Sequence, residues 1–299
     1  MAIVMFLVKM KVRKPAVVFM LNLATADVLL IGVLPFYIVY RFSGSHWLFG
    51  EGMCRFVMAA YYCNMFCSSL LMTSISVDRF LAVVYPVRSL PWRSVKRAWL
   101  VCGVIWVISF ASTVPLLLRK QTYTFPARDI TVCHDYQHYW SNFSLSFPYF
   151  SPAFSLFIFL PLLITTFCYI RIIRSLSRSQ FDGRHKRLRA IRLSVVVLCV
   201  FVLCFGPTNV IYLVYLVRTI VYDDPVLYIA YIVSSCISSI NCCLDPLIYY
   251  FASSQCQRYV CSLLGRKKDY RPPVEQMLER VHKDQQPERT HSTPITGSG

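Results

Sequence analysis

The sequence predicts an all-α membrane protein, a bundle of helices that cross the bilayer, and three observations predict it. Of 299 residues, 56% are hydrophobic and 15% charged, with a mean hydropathy of +0.52, too apolar for a soluble domain whose surface needs abundant charge. Six stretches reach the roughly 20 mainly apolar residues that a spanning helix requires. Clusters of Lys and Arg fall in alternate connections between these stretches, the asymmetry of a multi-pass protein.

The elements follow in order. Met1–Val8 is apolar but covers only about 12 Å at ~1.5 Å per residue, and the basic run Lys9-Met10-Lys11-Val12-Arg13-Lys14 follows directly. This reads as the inner end of a first helix whose outer part lies outside the sequence, so residues 1–14 are taken as that remnant plus the first inner connection. A secretory signal places its positive charge ahead of the apolar run, the reverse of this order. The spans then run Ala16–Tyr40, Phe56–Tyr85, Ala98–Leu118, Phe147–Ile173, Ile191–Val217 and Val226–Phe251. Residues 15–252 are therefore expected to form helices two to seven of a seven-transmembrane helix bundle with helix one incomplete. A short amphipathic juxtamembrane helix over 253–265 and a disordered cytoplasmic tail over 266–299 follow, the tail marked by Arg266-Lys267-Lys268, Pro272-Pro273 and His291-Ser292-Thr293-Pro294. No internal repeat and no separate soluble domain is visible.

Lys9, Lys11, Arg13 and Lys14, then Arg88, Arg93, Lys96 and Arg97, then a dense set from Arg171 to Arg192 occupy one side of the bundle. The other side holds few cations and balances them, as Arg218 is by Asp223 and Asp224. The basic side is expected in the cytoplasm, which puts the N-terminus outside and the C-terminus inside. The net charge of +17 concentrates on that inner face, where anionic lipid attracts it. Nucleic acid is not needed to explain it.

Most of the thirteen cysteines lie inside apolar spans, as small buried hydrophobes do. Only Cys54 and Cys133 fall on the outer, oxidising side. They are expected to be bonded, pinning the long connection from Arg119 to Ser146 over the mouth of the bundle. The same connection carries the sequon Asn142-Phe143-Ser144, a glycosylation candidate.

Ionisable side chains at mid-bilayer are costly and mark functional sites. Asp27 and Asp245 both lie within spans, and neither has a basic residue in its own segment to pair with. With Asn241, Ser68 and Ser238 they offer an oxygen set suited to a small hard cation such as Na⁺; a neutral, hydrogen-bonded structural pair is the other reading. Pro161, Pro207 and Pro246 interrupt spans and kink them, as hinges or as static packing features. The histidines His46, His134, His138, His185, His282 and His291 are scattered over connections and tail. They make no metal set and no nucleophile–base pair, so an enzyme is not expected. A transporter would show paired broken helices or repeat symmetry.

At this point the residues resemble a family. Asp78-Arg79-Phe80 resembles the D-R-Y triplet of rhodopsin-like (class A) G-protein-coupled receptors. Leu23-Ala24-Thr25-Ala26-Asp27, Trp106, Pro161 with Tyr169, Cys204-Phe205-Gly206-Pro207 and Asp245-Pro246-Leu247-Ile248-Tyr249 match that family's helix signatures in order. Cys133-His134-Asp135, Cys204 through Val210, and the run from Asp245 through Val260 are similar to the thrombin-type protease-activated receptors of that family.

The resemblance implies a receptor switched on by its own N-terminus after proteolysis by a serine protease such as thrombin, the linked peptide needing little intrinsic affinity. It implies coupling to heterotrimeric G proteins with phosphoinositide, calcium and Rho-type responses, and engagement of arrestin and receptor kinases at the plasma membrane. The implied ligand contacts are Asp135, His134, Tyr61, Tyr62, Tyr228 and Tyr231; an interfacial aromatic belt explains outer tyrosines equally. The implied switch is a population shift in which Phe205 and Pro207 pivot, the Asp27/Asp245 cluster repacks, Tyr169 and Tyr249 swing inward, and Arg79 meets the G protein. Asp78 is the implied off-state partner of Arg79. Arg187 is basic where several relatives carry an acid, which weakens the expectation of an interhelical ionic lock. Gly265-Arg266 stands where the family has paired cysteines, leaving Cys261 as the palmitoylation candidate. The alternatives are a truncated, signalling-dead receptor fragment or a peptide receptor of a related class A subfamily, with a transporter as the distant one.

Overall fold

In hydrocarbon a backbone amide finds no water, so a chain this apolar satisfies its peptide groups internally and becomes helical. A computed structural model describes residues 15–126, 129–134, 143–178, 184–219 and 225–245. These belong to the unit Met1–Tyr249; the second unit, Tyr250–Gly299, lies outside the described residues. With it lie the expected amphipathic helix, the tail and Cys261.

Six helices and one hairpin make up the described residues: α1 (Pro15–Phe42), α2 (Gly50–Val84), α3 (Val95–Leu118), strands β1 (Thr122–Phe125) and β2 (Ile130–Cys133), α4 (Phe143–Arg178), α5 (Arg184–Thr219) and α6 (Pro225–Ser239). Pro15 and Pro225 open α1 and α6, where a missing N–H costs nothing. Gly50, at φ +76°, turns the chain into α2, a conformation that a Cβ would strain. Ser94 caps α3 by accepting from the Arg97 amide at 3.3 Å. Beyond α6 the chain tightens, with the Ile240 amide donating to Ile237 O at 3.1 Å, and regains helix through Asp245.

Five of these helices contain a stretch long and apolar enough to cross a membrane, and the 232–245 segment is a shorter apolar one. Helix α2 is central and packs on α1, α3 and α4; α4 continues onto α5 and α5 onto α6. Burial follows that order. Cys67 and Leu71 of α2 are wholly buried, whereas Leu100, Val104, Val107 and Phe110 of α3 are exposed, as lipid permits and water would not. Trp106 of α3 donates its indole N–H to Asn22 Oδ1 of α1 at 3.0 Å, so the polar edge of that ring is turned inward.

Five of the expected spans are found with one or both ends longer, whereas the last, Val226–Phe251, is described as α6 to Ser239 and helix again from 241 to 245. Helix α2 starts at Gly50 rather than Phe56 because Glu51 and Arg55, one turn apart, pair at 2.6 Å and carry the helix past the apolar stretch. Helix α5 likewise starts at Arg184, inside the basic run. The hairpin, with register Thr122↔Cys133 to Phe125↔Ile130, was not expected: Arg119–Ser146 was read as a connection without secondary structure. Residues 246–251 of the last expected span lie outside the described residues.

Candidate functional site

The hairpin end of the bundle is assembled around one covalent bond. Cys54 of α2 is joined to Cys133 of β2 across 79 positions of sequence, and both are fully buried. Glu51, one turn earlier on α2, accepts from the Gln121 amide at 2.7 Å, from the Thr122 amide at 2.9 Å and from the Thr122 hydroxyl. The carboxylate thus supplies the acceptors that the first residues of β1 lack. On the other flank the Trp47 amide donates to Thr131 O at 2.7 Å and the Thr131 amide donates to His46 Nδ1 at 3.0 Å. Tyr40, fully buried, accepts from the Cys133 amide at 3.4 Å and packs edge-on to Trp47. The hairpin is therefore held by α1, by the α1–α2 connection and by α2.

His134 follows the disulfide with φ 65°, a strained backbone for a non-glycine residue that surrounding contacts must hold. Its amide donates to Gln121 O at 2.8 Å. The Gln121 amide nitrogen donates to Leu116 O at 3.0 Å, which turns its oxygen toward His134 Nδ1, 2.9 Å away. The other ring nitrogen of His134, Nε2, lies at hydrogen-bonding distance from the Tyr62 hydroxyl, 3.0 Å. Tyr61 packs edge-on to Tyr62 and donates to Ser235 O of α6 at 3.2 Å. Of the six expected ligand contacts, the structure gathers His134, Tyr61 and Tyr62. Tyr228 and Tyr231 fall on α6, but their side chains and Asp135 lie outside the described residues.

Halfway along the bundle a polar column runs through the apolar packing. Asp245 is wholly buried and interacts electrostatically with Asp27 on α1, which is 6% exposed. Asn241 Nδ2 donates to Asp245 Oδ2 at 3.2 Å, and Asn64 Nδ2 to Ser68 Oγ at 3.3 Å. Asn241 Oδ1 has no donor among the described residues. Two adjoining carboxyls in a low-dielectric site repel unless a proton or a cation lies between them. The donor set is all oxygen, and no three His, Cys, Asp or Glu side chains gather among the described residues. Above the carboxyl pair, the Thr208 hydroxyl of α5 donates to Ser234 O of α6 at 2.7 Å. Phe205, buried, stacks obliquely on Phe201 one turn before Pro207.

At the opposite end from the hairpin, Asp78 and Arg79 close α2. Tyr169 of α4 is buried, near Ser76 and within electrostatic reach of Arg79. The sequence reading assigned Asp78 to Arg79; the partner that the structure gives both carboxylate oxygens is Arg93, whose Nε and Nη2 donate at 2.8 and 3.2 Å. Neighbours on a helix diverge by about 100° and face different surroundings, and here Asp78 faces the returning Arg93. Tyr249, Asn142 and the Arg187 side chain lie outside the described residues.

Sequence reasoning missed Glu51, Gln121 and Arg93. Glu51 carried a signal, an acid in the first turn of an otherwise apolar helix; Gln121 and Arg93 act through long-range contacts that no local pattern shows.

Comparison with known proteins agrees with this arrangement. Residues 1–249 match the model of the 7 transmembrane receptor (rhodopsin family). The chain is 57% identical to Proteinase-activated receptor 1 of Xenopus laevis over 272 residues and 54% identical to that of Homo sapiens over 273 residues, 91% of this chain and 64% of each relative. It is 37% identical over 277 residues to the human S-geranylgeranyl-glutathione receptor P2RY8, covering 77% of it. The chain thus spans a little under two thirds of the proteinase-activated receptors that it matches. Bundle, disulfide-pinned hairpin and family match converge on one statement: the chain belongs to the rhodopsin family of seven-transmembrane receptors, a family of receptors and not of enzymes.

Proposed function

We propose that this chain is the transmembrane part of a receptor of the protease-activated, thrombin-receptor type that signals to heterotrimeric G proteins. The observation that carries the reading is the 57% and 54% identity to Proteinase-activated receptor 1 over 91% of the chain. In this reading the hairpin end faces outside, where Cys54 and Cys133 meet an oxidising compartment, and the Arg79 end faces the cytoplasm of a plasma-membrane protein. A serine protease such as thrombin exposes a peptide that docks, while still attached, against His134, Asp135, Tyr61, Tyr62, Tyr228 and Tyr231. The docked peptide favours one bundle arrangement over another. Phe205 and Pro207 give the pivot, Tyr169 and Tyr249 the inward movement, and Arg79 the contact to the G protein; arrestin and receptor kinases act on the same face.

The test uses cells without other such receptors. The chain is expressed behind an extracellular segment carrying an arginine cleavage site, and calcium release is measured after thrombin. Arg79→Ala should lower the response by on the order of 100-fold at equal surface density, the upper part of the range for coupling between sites. An unchanged response to Arg79→Ala would remove the assigned output residue.

Na⁺ belongs to the same reading, held by Asp27, Asp245, Asn241 and Ser68, where it would neutralise the carboxyl pair and bridge helices. Sodium at about 100 times its Kd should stabilise the purified protein by about 2.7 kcal/mol through mass action. Choline at equal ionic strength should give nothing, and Asp245→Asn should abolish the difference in melting temperature. Equal melting in the two salts would refute the site.

A further inference from the structure

Helix α3 carries Pro115 in its last turn and stops at Leu118, so its final carbonyls find no amide further along the helix. The Pro115 carbonyl takes the Arg119 amide at 3.2 Å, and the next two are capped by side chains. Gln121 donates Nε2 to Leu116 O at 3.0 Å, and Arg55 of α2 donates Nη1 to Leu117 O at 3.2 Å. Gln121 is 3% exposed, and each of its polar groups is engaged. Its backbone amide goes to Glu51 and its backbone carbonyl receives the His134 amide. Its side-chain nitrogen goes to Leu116, and its side-chain oxygen lies 2.9 Å from His134 Nδ1.

We propose that Gln121 is a positioning residue: it sets the tautomer of His134 and, through it, the direction of the hydrogen bond between His134 and Tyr62. Turning the Gln121 amide over would bring its oxygen against Leu116 O, two acceptors with no proton between them. The end of α3 therefore holds the amide oxygen toward Nδ1, and an oxygen there is satisfied only if Nδ1 carries the proton. Tyr62 does not oppose this, because a phenolic hydroxyl donates or accepts; it lies 3.0 Å from Nε2, with the two ring centres 5.5 Å apart. With the proton on Nδ1, Nε2 takes the Tyr62 proton. The bonds then run in one sense, from Tyr62 through His134 and Gln121 to the end of α3, each polarising the next. The Tyr62 oxygen, its proton committed to His134, meets any further partner as an acceptor. This last step rests on the receptor reading above and deepens it: the group of the docked peptide that Tyr62 receives is a hydrogen-bond donor and not a carbonyl.

The first measurement is on the unaltered chain in lipid nanodiscs, with isotopically labelled histidine, at about pH 8, where an ordinary imidazole is neutral. Nuclear magnetic resonance shifts of the ring nitrogens separate a protonated nitrogen from a bare one. The His134 signals are identified by their loss in His134→Asn, since Asn tolerates the positive φ of that position. The proposal requires a protonated Nδ1 and a bare Nε2. Gln121→Met, close in volume but without the amide, should turn His134 to the opposite tautomer or to a mixture. Glu51→Gln loosens β1 by another route and should leave the nitrogen shifts as they are, a contrast that a merely structural role for Gln121 would not produce. Function is read in cells as calcium release by the free form of the peptide that follows the cleavage site in the extended chain. Gln121→Met should raise its half-maximal concentration about tenfold with the maximum retained, as loss of one directed hydrogen bond implies. A wild-type His134 protonated at Nε2, or nitrogen shifts unchanged in Gln121→Met, overturns the proposal; the first of these needs no Gln121 variant and decides even if Gln121→Met fails to fold. A changed tautomer with a half-maximal concentration within about twofold of wild type overturns the link to the ligand. A wild-type chain that answers neither peptide nor protease refutes the receptor reading, while the nitrogen shifts still decide the tautomer.

Discussion

Replacing Cys54 and Cys133 together by serine should destabilise the bundle by about 4 kcal/mol. The bond closes a loop spanning 79 positions, and the chain-entropy relation for a loop of that length gives about 4–5 kcal/mol. Changing both residues avoids leaving a lone thiol at the site. The structural consequence reaches beyond the bond itself. Strand β2 ends at Cys133, and the strained backbone of His134 follows immediately. Without the bond, the His134–Tyr62 and His134–Gln121 contacts must hold that conformation unaided, and the expected ligand contacts disperse. Thermal unfolding of the purified protein, followed by tryptophan fluorescence, measures the loss. A melting temperature within about 2 °C of wild type would show that the hairpin is held by its other contacts, since ~1 kcal/mol shifts a domain of this size by ~2–4 °C.

Glu51→Ala should have the second largest effect, about 2–4 kcal/mol, concentrated in the hairpin. One carboxylate receives Arg55 Nε, the amides of Gln121 and Thr122 and the Thr122 hydroxyl. Hydrogen bonds to a charged group contribute about 1.5–3 kcal/mol each when buried, but this side chain is 29% exposed, so water replaces part of the loss. Glu51→Gln keeps one acceptor oxygen and should lose roughly half as much. The measurement is hydrogen exchange at the Gln121 and Thr122 amides, which should accelerate while those of α2 and α4 do not. Slow exchange retained at both amides in Glu51→Ala would show that β1 is anchored by its strand partner alone.

The contrast between Glu51 and Asp245 shows where sequence reading works in a membrane protein. Asp245 announced itself because a carboxylic acid in an apolar run is costly enough to demand a reason, and the structure places it against Asp27 with Asn241 beside it. Glu51 sits where acids are unremarkable, at a helix start near the expected membrane boundary, and its partners lie 70 and 71 residues away. The same holds for Arg93. It was counted among the basic residues that orient the bundle, and its pairing with Asp78 across 15 residues depends on how the Tyr85–Ser94 turn folds.

What the sequence determined by itself is what the bilayer imposes: the apolar spans, the one pair of cysteines expected to bond, and the identity of the buried acids. A span needs only length and hydropathy, and a buried charge stands out against lipid without knowledge of its neighbours. The tertiary structure alone decided the pairings, namely Glu51 with the start of β1, His134 between Gln121 and Tyr62, Trp106 with Asn22, and Asp78 with Arg93. Those depend on which helix faces meet, and in a medium that does not distinguish one apolar face from another, packing and the few polar contacts choose among them.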